Sequence, residues 1–147
     1  MIPTKPMKRI YITASYDRRE EVVKITLELV QAGHEVTSTW ALDESPVRAF
    51  PVQNEEDVQV NRSKAFANIR DIQSSDVFVC LSDEEYVRGG KHFEMGYAYS
   101  QCANLYVVGH AELMQHYLAN ITILPDIEAF YEEVGLAHTI PSDEAPN

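Results

Sequence analysis

Apolar positions along the chain follow two alternating rhythms. Residues 9–14 (RIYITA) form a β-branched and aromatic run that predicts a strand. Val22, Ile25, Leu29 and Val30 then recur at helical spacing. Asp17, three residues before Glu20, makes a capping-box arrangement at the start of that helix, and Gly33 supplies its stop. Residues 35–40 (EVTSTW) alternate like a second strand, and a polar loop with Pro46 and Pro51 follows. The spacing of Val58, Ala65, Ile69 and Ile72 predicts a helix over about 56–73. Residues 76–81 (DVFVCL) are a nearly continuous apolar strand, the pattern of a strand covered on both faces. A loop over 82–90, a helix over 91–102, a strand over 105–108, a short helix near 112–117, a strand over 121–124 and a helix over 127–134 complete the pattern.

Strands alternating with helices imply parallel pairing through right-handed crossovers. The expected architecture is a three-layer α/β/α sandwich, Rossmann/flavodoxin-like, with a mainly parallel five-stranded sheet. The 147 residues suit one domain, placed at 1–140, with 141–147 as a polar tail. Ligands in such sheets bind beyond the carboxyl ends of the strands, where the strand order reverses. The loops of interest are therefore residues 15–19, the segment from Trp40 onward, and residues 82–91.

Charge narrows the partners. Twelve Lys and Arg against 23 Asp and Glu give a net charge of −11, which argues against a surface for duplex nucleic acid. A small anionic ligand in a local pocket stays open. The longest wholly apolar run, residues 77–81, is far short of the about 20 residues that span a membrane, and the N-terminus lacks an apolar signal core. Two cysteines, Cys80 and Cys102, make neither a disulfide framework nor a metal site. Cys80 reads as a small buried hydrophobe, and the expected compartment is the reducing cytoplasm. Dinucleotide, Walker-type, His-Glu-x-x-His and Gly-x-Ser-x-Gly motifs are absent, so no cofactor and no metal is expected.

The most informative stretch runs from Arg88 through Gly89, Gly90, Lys91, His92, Phe93 and Glu94 to Gly96 and Ala98. Glycines admit close approach of a ligand to the backbone, and free N–H groups at a helix start attract anions. Glu94 falls near that start, where the helix dipole favours its ionised form. It reads either as an acid stabilising its own helix or as a nucleophile. Gly96 and Ala98 are small enough for the helix to lie close on the sheet.

Glu94-Met-Gly-Tyr-Ala after a glycine-rich loop resembles the Glu-Leu-Gly-Tyr-Ala signature of the nucleoside 2-deoxyribosyltransferase superfamily, which includes 2′-deoxynucleoside 5′-monophosphate N-glycosidases. Ile10-Tyr-Ile-Thr-Ala-Ser15 is similar to that family's first strand, with its tyrosine and phosphate-loop serine. Ala32-Gly-His-Glu-Val36 and Asp71-Ile-Gln-Ser-Ser-Asp-Val77 resemble its approaches to the second and third strands. The resemblance covers most of the chain. It implies cleavage of an N-glycosidic bond through an oxocarbenium-like transition state, with Glu94 as nucleophile and Tyr11 orienting it. It also implies a homo-oligomer, with His116 and Tyr117 near the region that reaches a neighbouring subunit.

The chain departs from the family at two positions. The aspartate that assists protonation of the leaving base corresponds to Asn68, with Asp71 one helical turn on as a possible substitute. A further transferase aspartate corresponds to Arg88, or to Tyr86 if the loop is longer. Around this core, Ser15, Arg18, Arg88, Gly89, Gly90 and His92 are candidate substrate-binding residues, favouring a nucleotide over a bare nucleoside. Trp40, at the end of the second strand, reads either as a stacking platform for a base or as a core anchor. The expected activity is cleavage of, or transfer across, the N-glycosidic bond of a nucleoside or nucleoside 5′-monophosphate. A non-catalytic nucleotide-sensing module on the same fold and an NAD-type glycohydrolase are the alternatives.

Overall fold

The computed structural model describes residues 4–85, 89–101 and 104–137. In chain order these form β1 (Thr4–Lys5), β2 (Arg9–Thr13), α1 (Arg19–Gln31), β3 (Glu35–Val36), α2 (Glu55–Gln73), β4 (Val77–Leu81), α3 (Gly90–Gln101), β5 (Asn104–Val108), β6 (Ile121–Leu124), α4 (Ile127–Val134) and β7 (Leu136–Ala137). Five strands make one all-parallel sheet in the order β3-β2-β4-β5-β6. Counted from β2, this is the flavodoxin-like order 2-1-3-4-5, whose reversal lies between β2 and β4. The expected three-layer α/β architecture is thus present. The tail from residue 141 lies outside the described residues, as does Cys102.

The period-2 alternation of the strands divides the core in two. Ile10 and Ile12 of β2 and Val77, Val79 and Leu81 of β4 pack with Val22, Ile25 and Leu29 of α1 and Phe130 and Val134 of α4. On the opposite face Tyr11, Phe78 and Cys80 pack with Ile72 of α2 and Met95 and Ala98 of α3. Tyr11 and Phe78 are register partners, and their rings stack at 5.5 Å with planes 4° apart. Burying both faces explains the unbroken apolar run of β4, which is fully buried along its length.

Several local expectations are corrected. Asp17 caps nothing: residues Tyr16–Arg18 form a 3₁₀ turn that runs straight into α1, with no side-chain cap. Gly33 does end α1, at φ +96°, a conformation that favours glycine. The predicted strand over 35–40 pairs only at Glu35–Val36, because the chain then turns off the sheet edge. Ser38 Oγ accepts from Ile12 N–H at 3.2 Å, and Trp40–Leu42 is a 3₁₀ turn. The segment near 112–117 is likewise a 3₁₀ turn, Met114–Tyr117. On α2 only Ile72 is buried, and Ala65 is exposed, so the expected apolar face is not what holds that helix. Gly96 is exposed with open space around it, whereas Ala98 is fully buried.

The two-residue strands β1 and β7 pair in parallel outside the main sheet. Buried His34 fastens the same corner: its Nδ1 accepts from Lys8 N–H at 3.0 Å and its Nε2 meets Gly135 O at 2.6 Å. No helix among the described residues is long and apolar enough to cross a membrane.

Candidate active site

A cavity of about 180 Å³ opens beyond the carboxyl end of β2, beside the reversal in strand order, and is walled by the segment after β3 and by α2 and α3. Its inner end is built on β2. Tyr11 and Thr13 are two residues apart and share a face of the strand, which directs both hydroxyls toward α3. Tyr11 Oη donates to Glu94 Oε1 at 3.1 Å, and Thr13 Oγ1 donates to the same oxygen at 2.8 Å. From α2, Asn68 Nδ2 donates to Glu94 Oε2 at 3.0 Å. Three elements thus converge on one carboxylate.

Burial raises the pKa of Glu94, while the bonds from Thr13, Tyr11 and Asn68 oppose that rise. Burial and the neighbouring carboxylate push the Tyr11 phenol well above its ordinary value, so it serves as a neutral donor. The arrangement holds a part-buried carboxylate in one orientation, as a nucleophile requires.

The outer end of the cavity is a strap over residues 43–48, fastened to α2. Lys64 Nζ donates to Asp43 Oδ2 at 2.6 Å, Ser45 O at 2.7 Å and Ser45 Oγ at 2.8 Å. Asn61 exchanges two bonds with the backbone of Arg48, at 2.8 and 3.1 Å, and Asp57 Oδ1 lies 3.4 Å from Arg48 Nε. Asp71 Oδ2 accepts from Thr39 N–H at 3.1 Å and Thr39 Oγ1 at 2.7 Å. Asp57, Asn61, Lys64, Asn68 and Asp71 fall at spacings of four, three, four and three, one face of a helix. That polar stripe both walls the cavity and reaches Glu94.

The structure sorts the expected site residues. Glu94, Tyr11 and Asn68 meet directly. Asp71 is spent on Thr39 and makes no hydrogen bond to Glu94 in the arrangement above. Trp40 lines the cavity, with its indole N–H donated to Ile12 O at 2.8 Å and its ring tilted against Tyr16 at 6.4 Å. Gly90 lines the cavity; Gly89, Ser15, Arg18 and His92 do not. The Gly89 carbonyl accepts from Phe93 N–H, and the Ser15 carbonyl from Arg18 N–H. Arg18 is held by both carboxylate oxygens of Glu21, at 2.8 and 2.9 Å, and by Ser82 O at 2.5 Å. The ring of His92 faces His116 at 5.8 Å. Arg88 and Tyr86 lie outside the described residues.

Thr13, Tyr16, Asp43, Ser45, Lys64 and Lys91 were not singled out by the sequence, yet all line the cavity. Lys91 is buried, its Nζ 2.5 Å from Asp83 Oδ2, 2.6 Å from Glu112 Oε1 and 3.1 Å from Leu81 O. Burial opposes its charge, but these two carboxylates prevail and raise its pKa. Among the described residues no cluster of three His, Cys, Asp or Glu side chains is placed to hold a metal ion.

No family model and no curated protein sequence matches the chain. Solved structures similar to it include the following two. The CMP N-glycosidase BcmB of Clostridium botulinum is 18% identical, with 80% of this chain and 87% of that one covered and a TM-score of 0.47. A 2-deoxyribosyltransferase from Bacillus psychrosaccharolyticus is 14% identical, with 90% of this chain and 99% of that one covered and a TM-score of 0.58. The chain therefore shares its fold, over nearly the full length of both proteins, with a 2-deoxyribosyltransferase.

Proposed function

We propose that the protein cleaves the N-glycosidic bond of a nucleoside or nucleoside 5′-monophosphate, or transfers its glycosyl group, with Glu94 as nucleophile. The observation that carries this reading is the carboxylate of Glu94, oriented by Tyr11, Thr13 and Asn68 at the inner end of a cavity beside the strand-order reversal. The fold shared with a 2-deoxyribosyltransferase supports it, as does the Glu94-Met-Gly-Tyr-Ala motif.

In the first step a Glu94 oxygen bonds to the anomeric carbon as the bond from that carbon to the base nitrogen breaks. The electron pair of the broken bond leaves with the base, which takes a proton from water. Water, or a second base in transfer, then displaces the glutamate ester. Asn68 holds Glu94 but, as an amide, supplies no acid. Asp43, the other carboxylate lining the cavity, is held ionised by Lys64 with a pKa of about 2 and cannot protonate the base either. Substrates whose bases leave readily without acid assistance are therefore favoured.

The amide at position 68 also favours a second reading, a module on the same fold that binds a nucleotide without turnover. A chromatographic screen separates the two. Deoxynucleosides, their 5′-monophosphates and ribonucleotides are incubated with and without a second free base, beside Glu94→Ala. Free base released by the wild type and not by the variant is the expected result. Binding without release of base from any substrate would overturn the enzymatic reading.

A further inference from the structure

The cavity has two carboxylates, and the proposed reaction uses one. Asp43 is the other, and it sits at the opposite end. Lys64, which holds the strap, lies one helical turn, ~5.4 Å of rise, before Asn68, which touches Glu94, on the same face of α2. The cavity is also lined by flat and apolar groups, Trp40, Tyr16 and Ala67, with Val47 on the strap itself. With a sugar at Glu94, the group reaching the strap between these walls is an aromatic ring attached to that sugar.

The hydrogen-bond inventory of the strap decides what edge of that ring it can receive. An ionised carboxylate has about four acceptor positions. Three on Asp43 are used, by Lys64 Nζ on Oδ2 and by Ser45 N–H and Ser45 Oγ on Oδ1, the last two at 3.0 Å. About one remains, and the side chain is half-exposed. The donors are spent. The three protons of the Lys64 ammonium go to Asp43 Oδ2, Ser45 O and Ser45 Oγ, and the Ser45 hydroxyl proton goes to Asp43. At Asp43 and Ser45 the strap thus offers an acceptor and no uncommitted side-chain donor. A phosphate gains little here, because it meets a carboxylate and the lysine beside it is already neutralised. An exocyclic amino group gains a charge-assisted bond, and a carbonyl in the same place is repelled.

Resting on the reading of Glu94 as the sugar-side nucleophile, we propose that Asp43 selects the base: it accepts a hydrogen bond from an exocyclic amino group, so the protein prefers amino-bearing nucleobases to their oxo counterparts. Lys64 is the positioning residue that holds Asp43 against the cavity.

The test compares CMP with UMP and AMP with IMP. Binding is measured by titration calorimetry in a Glu94→Gln background, where turnover does not interfere, and initial rates are measured with Glu94 intact. Each is done with Asp43 present, with Asp43→Asn, which keeps the shape but adds a donor, and with Asp43→Ala. Thermal melting monitors the fold of each variant. The expected result is about a 10-fold preference for the amino member of at least one pair, the scale of one hydrogen bond to a charged group. Asp43→Ala abolishes that preference and Asp43→Asn abolishes or reverses it. Equal binding within both pairs, or a preference that Asp43→Asn leaves unchanged, would overturn the proposal. An amino preference in binding without turnover would sink the glycosidase reading and leave this one standing. Failure to bind any of the four would sink both.

Discussion

The side-chain amide of Asn68 donates to Glu94 Oε2 at 3.0 Å, joining α2 to α3 at the inner end of the cavity. The same geometry would bring a carboxyl at position 68 into direct contact with Glu94. Two carboxyls that close share a proton and titrate apart, one of them well above its usual range. Asn68→Asp is therefore expected to turn a single-limbed pH–rate profile into a bell, with the new acid assisting departure of the base below the upper limb. The comparison is made on one nucleotide substrate across pH. A profile identical to that of the wild type would show that position 68 does not reach the reacting groups.

Glu94 must be ionised to attack, and burial raises its pKa against the pull of its three donors. The acid limb of kcat/KM is expected above 4.5, the ordinary value for a glutamate. Thr13→Val removes one donor to the charged form while keeping the volume. It is expected to move that limb further up and to lower kcat by about 10-fold, with Thr13→Ser restoring both. A loss of activity in Thr13→Val without movement of the limb would mean that Thr13 acts through packing alone.

Lys64 fastens the strap through three bonds, none of them to Glu94. Lys64→Met is expected to raise KM several-fold with a smaller change in kcat, because the wall loosens while the nucleophile keeps its own donors. Initial-rate kinetics reads the split. A fall confined to kcat would assign Lys64 to the chemical step instead.

The rings of His92, on α3, and His116 lie tilted at 48° to each other, 5.8 Å apart. Burial lowers both pKa values; Lys91 adds to the effect at His92 and His92 to that at His116, while Glu112 opposes it at both. His116 Nδ1 accepts from Glu112 N–H at 2.9 Å, a bond only an unprotonated nitrogen can make. The unfolded chain takes up protons first, as pH falls through about 6.5. Stability from these two residues is thus complete above that pH and declines below it. The fall in Tm between pH 7 and pH 5 is expected to be smaller in His116→Asn than in the wild type, measured by calorimetry. An equal fall in both would show that the pair does not govern this range.

The strands were legible because burial on both faces leaves an apolar run, as in residues 77–81. The pairs Thr4–Lys5 and Leu136–Ala137 were not, since two residues carry no period. Glu94 and Tyr11 were visible through a motif and a resemblance. Thr13 was hidden inside a strand, although its spacing of two from Tyr11 puts it on the same face. Asn68 and Asp71 were reached through the resemblance, whereas Asp57, Asn61 and Lys64 carry no motif. Their four-three spacing was the available signal, but only tertiary contact reveals that polar groups there grip a loop.

With only Ile72 committed to the core, α2 is bound to the rest of the protein chiefly through groups that can be exchanged without opening a void. Residues facing the substrate can be replaced on this helix and its strap while the packing around the sheet stays as it is. Change of substrate and loss of fold are thereby largely uncoupled, and closely related sequences could diverge in what they accept long before they diverge in shape.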